Sequence, residues 1–130
     1  MKLTRVYFLS LLLFLLVPSA SYAQTAADKA WKPFWTKFSA AVNNKNFNAL
    51  NALTLKPFDS GGGAEDTLAE FFQGDKKWKN EIWRSLSEAV KSGTSPTEKI
   101  NGKPARTSNN NYTLFVYTKN GWRFWGLWGD

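Results

Sequence analysis

The 130-residue chain has no histidine and no cysteine. That removes Ser-His-Asp and Cys-His triads, and zinc sites that depend on imidazole or thiolate. It also removes the side chain that most often moves protons near neutral pH. Carboxylates remain: Asp59, Glu65, Asp66 and Glu70 gather around Gly61-Gly62-Gly63. That cluster is open to carboxylate-only catalysis. Its plainer reading is turn polarity and helix capping, for which Asp and Ser are ordinary residues. The EF-hand spacing of a calcium loop is absent. The three glycines lack the Gly-Lys-Ser/Thr ending and the preceding buried strand of a phosphate loop. They read as a flexible loop and a candidate lid. No catalytic, cofactor-binding or metal-binding residue is assigned, and no cofactor is expected.

Aromatic and basic side chains interleave at Trp31-Lys32, Lys76-Lys77-Trp78-Lys79 and Trp122-Arg123. In the cytoplasm such a pattern would suit single-stranded nucleic acid. The leader described below argues against that partner and toward an anionic envelope component, a polymer or lipid head group. The bland alternative is a solvated face that keeps a small protein soluble. The seven tryptophans divide the same way: exposed rings can stack on sugars, buried rings are core. Spacing puts Trp35, Trp83 and Trp125 in the core and leaves Trp78, Trp122 and Trp128 open.

The start of the chain has the three parts of a cleavable secretory leader. Lys2 and Arg5 precede an apolar run over 6–17, Pro18 and Ser19 break it, and Ser21-Tyr22-Ala23 supplies small residues at −3 and −1. The run is shorter than the roughly 20 residues a membrane span needs. Residues 1–23 are therefore expected to be removed. Residues 24–130 remain as one small exported domain, periplasmic or extracellular, with no transmembrane segment. Without Lys2 and Arg5 the net charge falls from +7 to +5. With no cysteine there is no disulfide or lipid-anchored cysteine, so the core alone must hold the domain.

Trp31, Trp35, Phe38 and Val42 recur at helical spacing, with Phe34 and Ala41 beside them. Residues 24–30 are expected to fray. The helix is expected to start near Lys32, with Pro33 in its first turn, and to end by Asn43 or Asn44. Phe47, Leu50 and Leu53 make a second helix, and 54–58 an edge or end strand because of Pro57. Thr67-x-x-Glu70 is a capping box. Asp75 caps a helix carrying Trp78, Ile82, Leu86, Ala89 and Val90, with Lys77, Glu81, Arg84 and Glu88 on its polar face and Gly93 at its end. Residues 94–111 are polar and turn-rich, with a weak hairpin signal at Asn101-Gly102. Asn120-Gly121 predicts a type I′ hairpin joining 112–119 to 122–128. That turn would pair Tyr117 with Phe124 and Phe115 with Gly126. Both hairpin faces are apolar, which predicts a hairpin covered on both sides. Its aromatic face, Phe115, Tyr117, Trp122, Phe124 and Trp128, becomes the candidate pocket or interface; Gly61, Gly62 and Gly63 are the candidate lid.

Three stretches, FWTKFSAAVNNKNFNALNAL, TLKPF and YTLFVYTKNGWRFWGLWGD, resemble the nuclear transport factor 2-like superfamily, which includes ketosteroid isomerase and SnoaL-type cyclases. The likeness is to small exported bacterial members. It implies an α+β fold: helices packed on a curved, mostly antiparallel, cone-like sheet that ends in a C-terminal β-hairpin, often around a pocket. The isomerase members use a carboxylate base and a Tyr and acid pair. No position here matches those, so no catalytic role is carried over. The expected role is a non-enzymatic ligand-binding or protein-interaction module, with a small apolar ligand or a homodimer partner. The alternatives are an isomerase- or cyclase-type enzyme using a carboxylate or Tyr, and envelope carbohydrate binding through exposed Trp.

Overall fold

The computed structural model describes residues 25–61 and 65–128. The leader of 1–23, together with Gly62 and Gly63, lies outside the described residues. Helix α1 spans Ala26–Asn43 and α2 spans Phe47–Ala52. Strands β1 (Thr54–Asp59) and β2 (Glu65–Asp66) follow. Then come α3 (Leu68–Phe71) and α4 (Lys76–Ser92). The chain closes with β3 (Thr94–Ile100), β4 (Lys103–Ser108), β5 (Thr113–Thr118) and β6 (Gly121–Leu127). The sheet order is β2-β1-β6-β5-β4-β3, with β1 parallel to β6 and the other pairs antiparallel. The class is α+β, with helices on an open, curved, mostly antiparallel sheet. No helix among the described residues is long and apolar enough to cross a membrane.

Helix α1 starts at Ala26 and not near Lys32, where its aromatic stripe predicts. Thr25 caps it, accepting from the Asp28 amide at 3.2 Å while the Asp28 carboxylate accepts from the Thr25 amide at 3.3 Å. This reciprocal box organises residues expected to fray. Pro33 is consequently inside the helix rather than in its first turn. Its missing amide would have met the Lys29 carbonyl; both residues are exposed, so water can serve that acceptor.

The buried face of α1 carries Phe34, Phe38, Ala41 and Val42. Phe38 meets Phe115 edge-on at 4.9 Å and Phe124 at 5.4 Å between ring centroids. Phe58 of β1 joins Phe124 at 5.1 Å. Trp122 is also core, and its indole N–H donates to the Ala27 carbonyl at 2.8 Å. Trp35 and Trp83 are half-buried against this cluster rather than within it. Trp125 is half-buried too. Arg106 crosses from β4 to α1: its guanidinium lies 4.7 Å over the Trp31 ring and donates to the Thr94 hydroxyl and carbonyl. Burial lowers the pKa of Arg106, and Asp28 opposes the shift.

The region expected to be mostly turns forms a long hairpin. Asn101 and Gly102 both take positive φ, 52° and 74°, as a type I′ turn requires, and they join β3 to β4. The terminal hairpin differs from its expected register. Thr118 pairs with Gly121, Tyr117 with Trp122 and Phe115 with Phe124. Only Gly121 takes positive φ there, so the turn is not type I′. The Thr118 hydroxyl accepts from the Asn120 amide and donates to the Gly121 carbonyl, a side-chain turn that overrides the Asn-Gly signal. The slip is two residues, so the face parity is kept. A bulge at Trp125 then shifts the pairing to Leu114 with Gly126 and Thr113 with Leu127, which turns Leu127 into the core.

Thr113 is wholly buried, and its hydroxyl has no hydrogen-bond partner among the described residues. Thr113→Val keeps the shape and removes that unsatisfied group. It should raise stability by about 1 kcal/mol, read from urea denaturation. Phe124→Ala should cost about 3–5 kcal/mol in the same assay.

Candidate functional site

Helix α4 is amphipathic, so its apolar stripe, Ile82, Leu86 and Ala89, turns into the protein. At the edge of that stripe, Trp78, Glu81, Ser85 and Glu88 follow at i, i+3, i+7 and i+10, a single flank of the helix. This flank forms one wall of a groove of about 670 Å³. The opposite wall comes from the loop after β1, from α3 and from both ends of the terminal hairpin: Ser60, Gly61, Phe71, Tyr112, Leu127 and Trp128. The groove thus lies on the seam between α4 and the sheet end, not between α1 and the sheet.

Trp78 and Trp128 are the large apolar side chains the fold leaves exposed among the described residues, at 39% and 42%. Both line this groove. Each is fixed by main chain. The Trp78 indole N–H donates to the Phe71 carbonyl at 2.9 Å, and its ring meets Phe71 edge-on at 5.5 Å. Gly74 lies directly against it: a Cβ there would stand 2.7 Å from Trp78 Cδ1. The Trp128 amide donates to the Tyr112 carbonyl at 2.8 Å. The Trp128 ring packs on Gly61, where a Cβ would come within 3.3 Å. The Gly61 amide in turn donates to the Asp59 carboxylate at 2.9 Å. The Trp78 indole is thus anchored through its N–H, the Trp128 indole rests on Gly61, and Glu81, Arg84, Ser85 and Glu88 add polar and charged groups to the same lining.

Of the hairpin residues expected to form a pocket, Phe115, Trp122 and Phe124 are core and do not line this groove. Tyr117 is half-buried against Trp122, 5.5 Å between centroids. Trp128 alone reaches the groove. The candidate lid is represented there by Gly61; Gly62 and Gly63 lie outside the described residues. On the second hairpin face Leu114 and Val116 are buried within the single chain, so a subunit partner is not required to cover them.

The carboxylates near the glycines act as the plainer reading expects, where they are described. Asp59 holds the turn at Gly61. Glu70 pairs with the Thr67 hydroxyl, which caps its amide at 3.1 Å. Among the described residues no group of three or more carboxylates is placed to hold a metal ion. The groove carboxylates are Glu81 and Glu88, which the sequence assigns only to a polar helix face. Their seven-residue spacing was the available signal; what faces them could not be read from it. Comparison with protein-family models, curated proteins and solved structures returns no match.

Gly74→Ala should drive a methyl into the Trp78 indole. A loss of about 1–3 kcal/mol is expected, with a shift in tryptophan emission. Unchanged emission and stability would show that Trp78 is not seated on this glycine.

Proposed function

We propose that the chain is an exported, non-enzymatic binding module and that its groove takes a saccharide. One observation carries the reading: both exposed large apolar side chains, Trp78 and Trp128, line the same groove. A sugar presents an apolar C–H face to an indole and directs hydroxyls outward. The groove offers both complements, rings at Trp78 and Trp128 and hydrogen-bonding groups at Glu81, Arg84, Ser85 and Glu88. Its volume is within the usual range for a small-ligand site. Export rests on the leader pattern of residues 1–23. The helices on a curved sheet support the resemblance to the nuclear transport factor 2-like superfamily, whose members differ in function.

Glu81 and Glu88 on the groove wall favour one second reading, a cyclase- or isomerase-type enzyme using a carboxylate. Under that reading Glu88→Gln would abolish turnover of a bound ligand while leaving its affinity intact.

The test is titration of the purified protein with soluble oligosaccharides, followed by calorimetry and tryptophan fluorescence. Trp128→Ala and Trp78→Ala should each weaken binding about tenfold, the worth of one aromatic stacking contact. Affinity unchanged in both variants would refute the groove as the site.

A further inference from the structure

The groove continues past Trp78. Glu81 and Arg84, which form part of its wall, also line a shallower concavity of about 410 Å³ together with Lys76, Lys77 and Asn80. The two hollows adjoin on neighbouring flanks of α4, share Glu81 and Arg84, and together form one surface. From Lys76 to Glu88 that surface runs for about 18 Å at 1.5 Å per helical residue.

Its charge is uneven along this length. Lys76, Lys77 and Arg84 face only Glu81 at the shelf end. Beyond Arg84, Glu88 is the sole ionisable carboxylate or cation lining the groove. A ligand that covers both hollows meets Lys76 and Lys77 in one, Trp78, Trp128 and Glu88 in the other, and Arg84 on the wall they share. Arg84 stands on the shared wall, where its planar fork can grip a carboxylate or phosphate with two parallel N–H bonds.

Resting on the saccharide reading, we infer that the ligand is an anionic saccharide. Its rings lie on Trp78 and Trp128, and its acidic substituent lies over Lys76, Lys77 and Arg84.

The experiment is calorimetric titration of the purified protein with an oligogalacturonate, a neutral galactose oligomer of equal length, and inorganic polyphosphate, at low and high salt. The acidic oligomer should bind about tenfold more tightly than the neutral one at low salt, as two or three exposed charge contacts allow. High salt should erase the difference. The double variant K76E/K77E should erase it too; both sites are exposed, and acidic residues are tolerated at a helix start. Trp128→Ala should weaken both oligomers by the same factor. Equal binding of the two oligomers, unaffected by K76E/K77E, overturns the anionic inference and leaves the saccharide reading standing. Polyphosphate binding without either oligomer, or no binding of any probe, overturns the saccharide reading and the inference with it.

Discussion

The packing of Phe38 against Phe115 and Phe124 governs the rest of the molecule. These rings lie at the centre of the contact between α1 and the terminal hairpin, and all three are wholly buried. Phe34, Trp31 and Trp35 extend the same aromatic layer, each within 6 Å of Phe115. A domain of this length without disulfides depends on such burial. The layer also has a geometric consequence. It fills the space between α1 and the sheet, where a cone-like fold could otherwise hold a ligand. The concavity is displaced to the seam where α4 passes the ends of β1 and β6.

At that seam the backbone does the positioning. Trp78 is anchored through its indole N–H to the Phe71 carbonyl, and Trp128 through its amide to the Tyr112 carbonyl. A glycine lies against each ring, Gly74 and Gly61. A ring held through its own N–H, as Trp78 is, loses little freedom when a ligand arrives, which favours binding through preorganisation. The lining mixes Phe71, Ile82 and Leu127 with Glu81, Arg84, Ser85 and Glu88, so the groove offers both apolar faces and hydrogen-bonding groups. The basic shelf next to it extends the same logic to charge.

Much of the fold was legible. The caps at Thr67 and Asp75 sit where the sequence placed them, and Gly93 ends α4 as expected. On α1, Phe38 and Val42 of the expected stripe are core together with the flanking Phe34 and Ala41, while Trp31 and Trp35 are half-buried against it. The start of α1 was missed because the Thr25 and Asp28 box precedes the first aromatic residue by several positions, outside the apolar pattern. β3 and β4 were under-read because β3, TSPTEKI, is an almost fully exposed edge strand and carries no alternating signal. The site was barely legible. Trp128 was among its candidates, but Phe115, Trp122 and Phe124 are core.

The sequence by itself determined that this chain lacks imidazole and thiolate chemistry, that its helices are amphipathic, and that its aromatic residues must supply the core. Those properties are local or compositional, so no neighbour can change them. Only the tertiary structure decided which rings remain exposed. That choice depends on a bulge at Trp125. The bulge turns Leu127 inward and leaves Trp128 at the rim. Register and long-range packing bring Trp128 into the same groove as Trp78, some fifty residues away in the chain, and no local pattern encodes that.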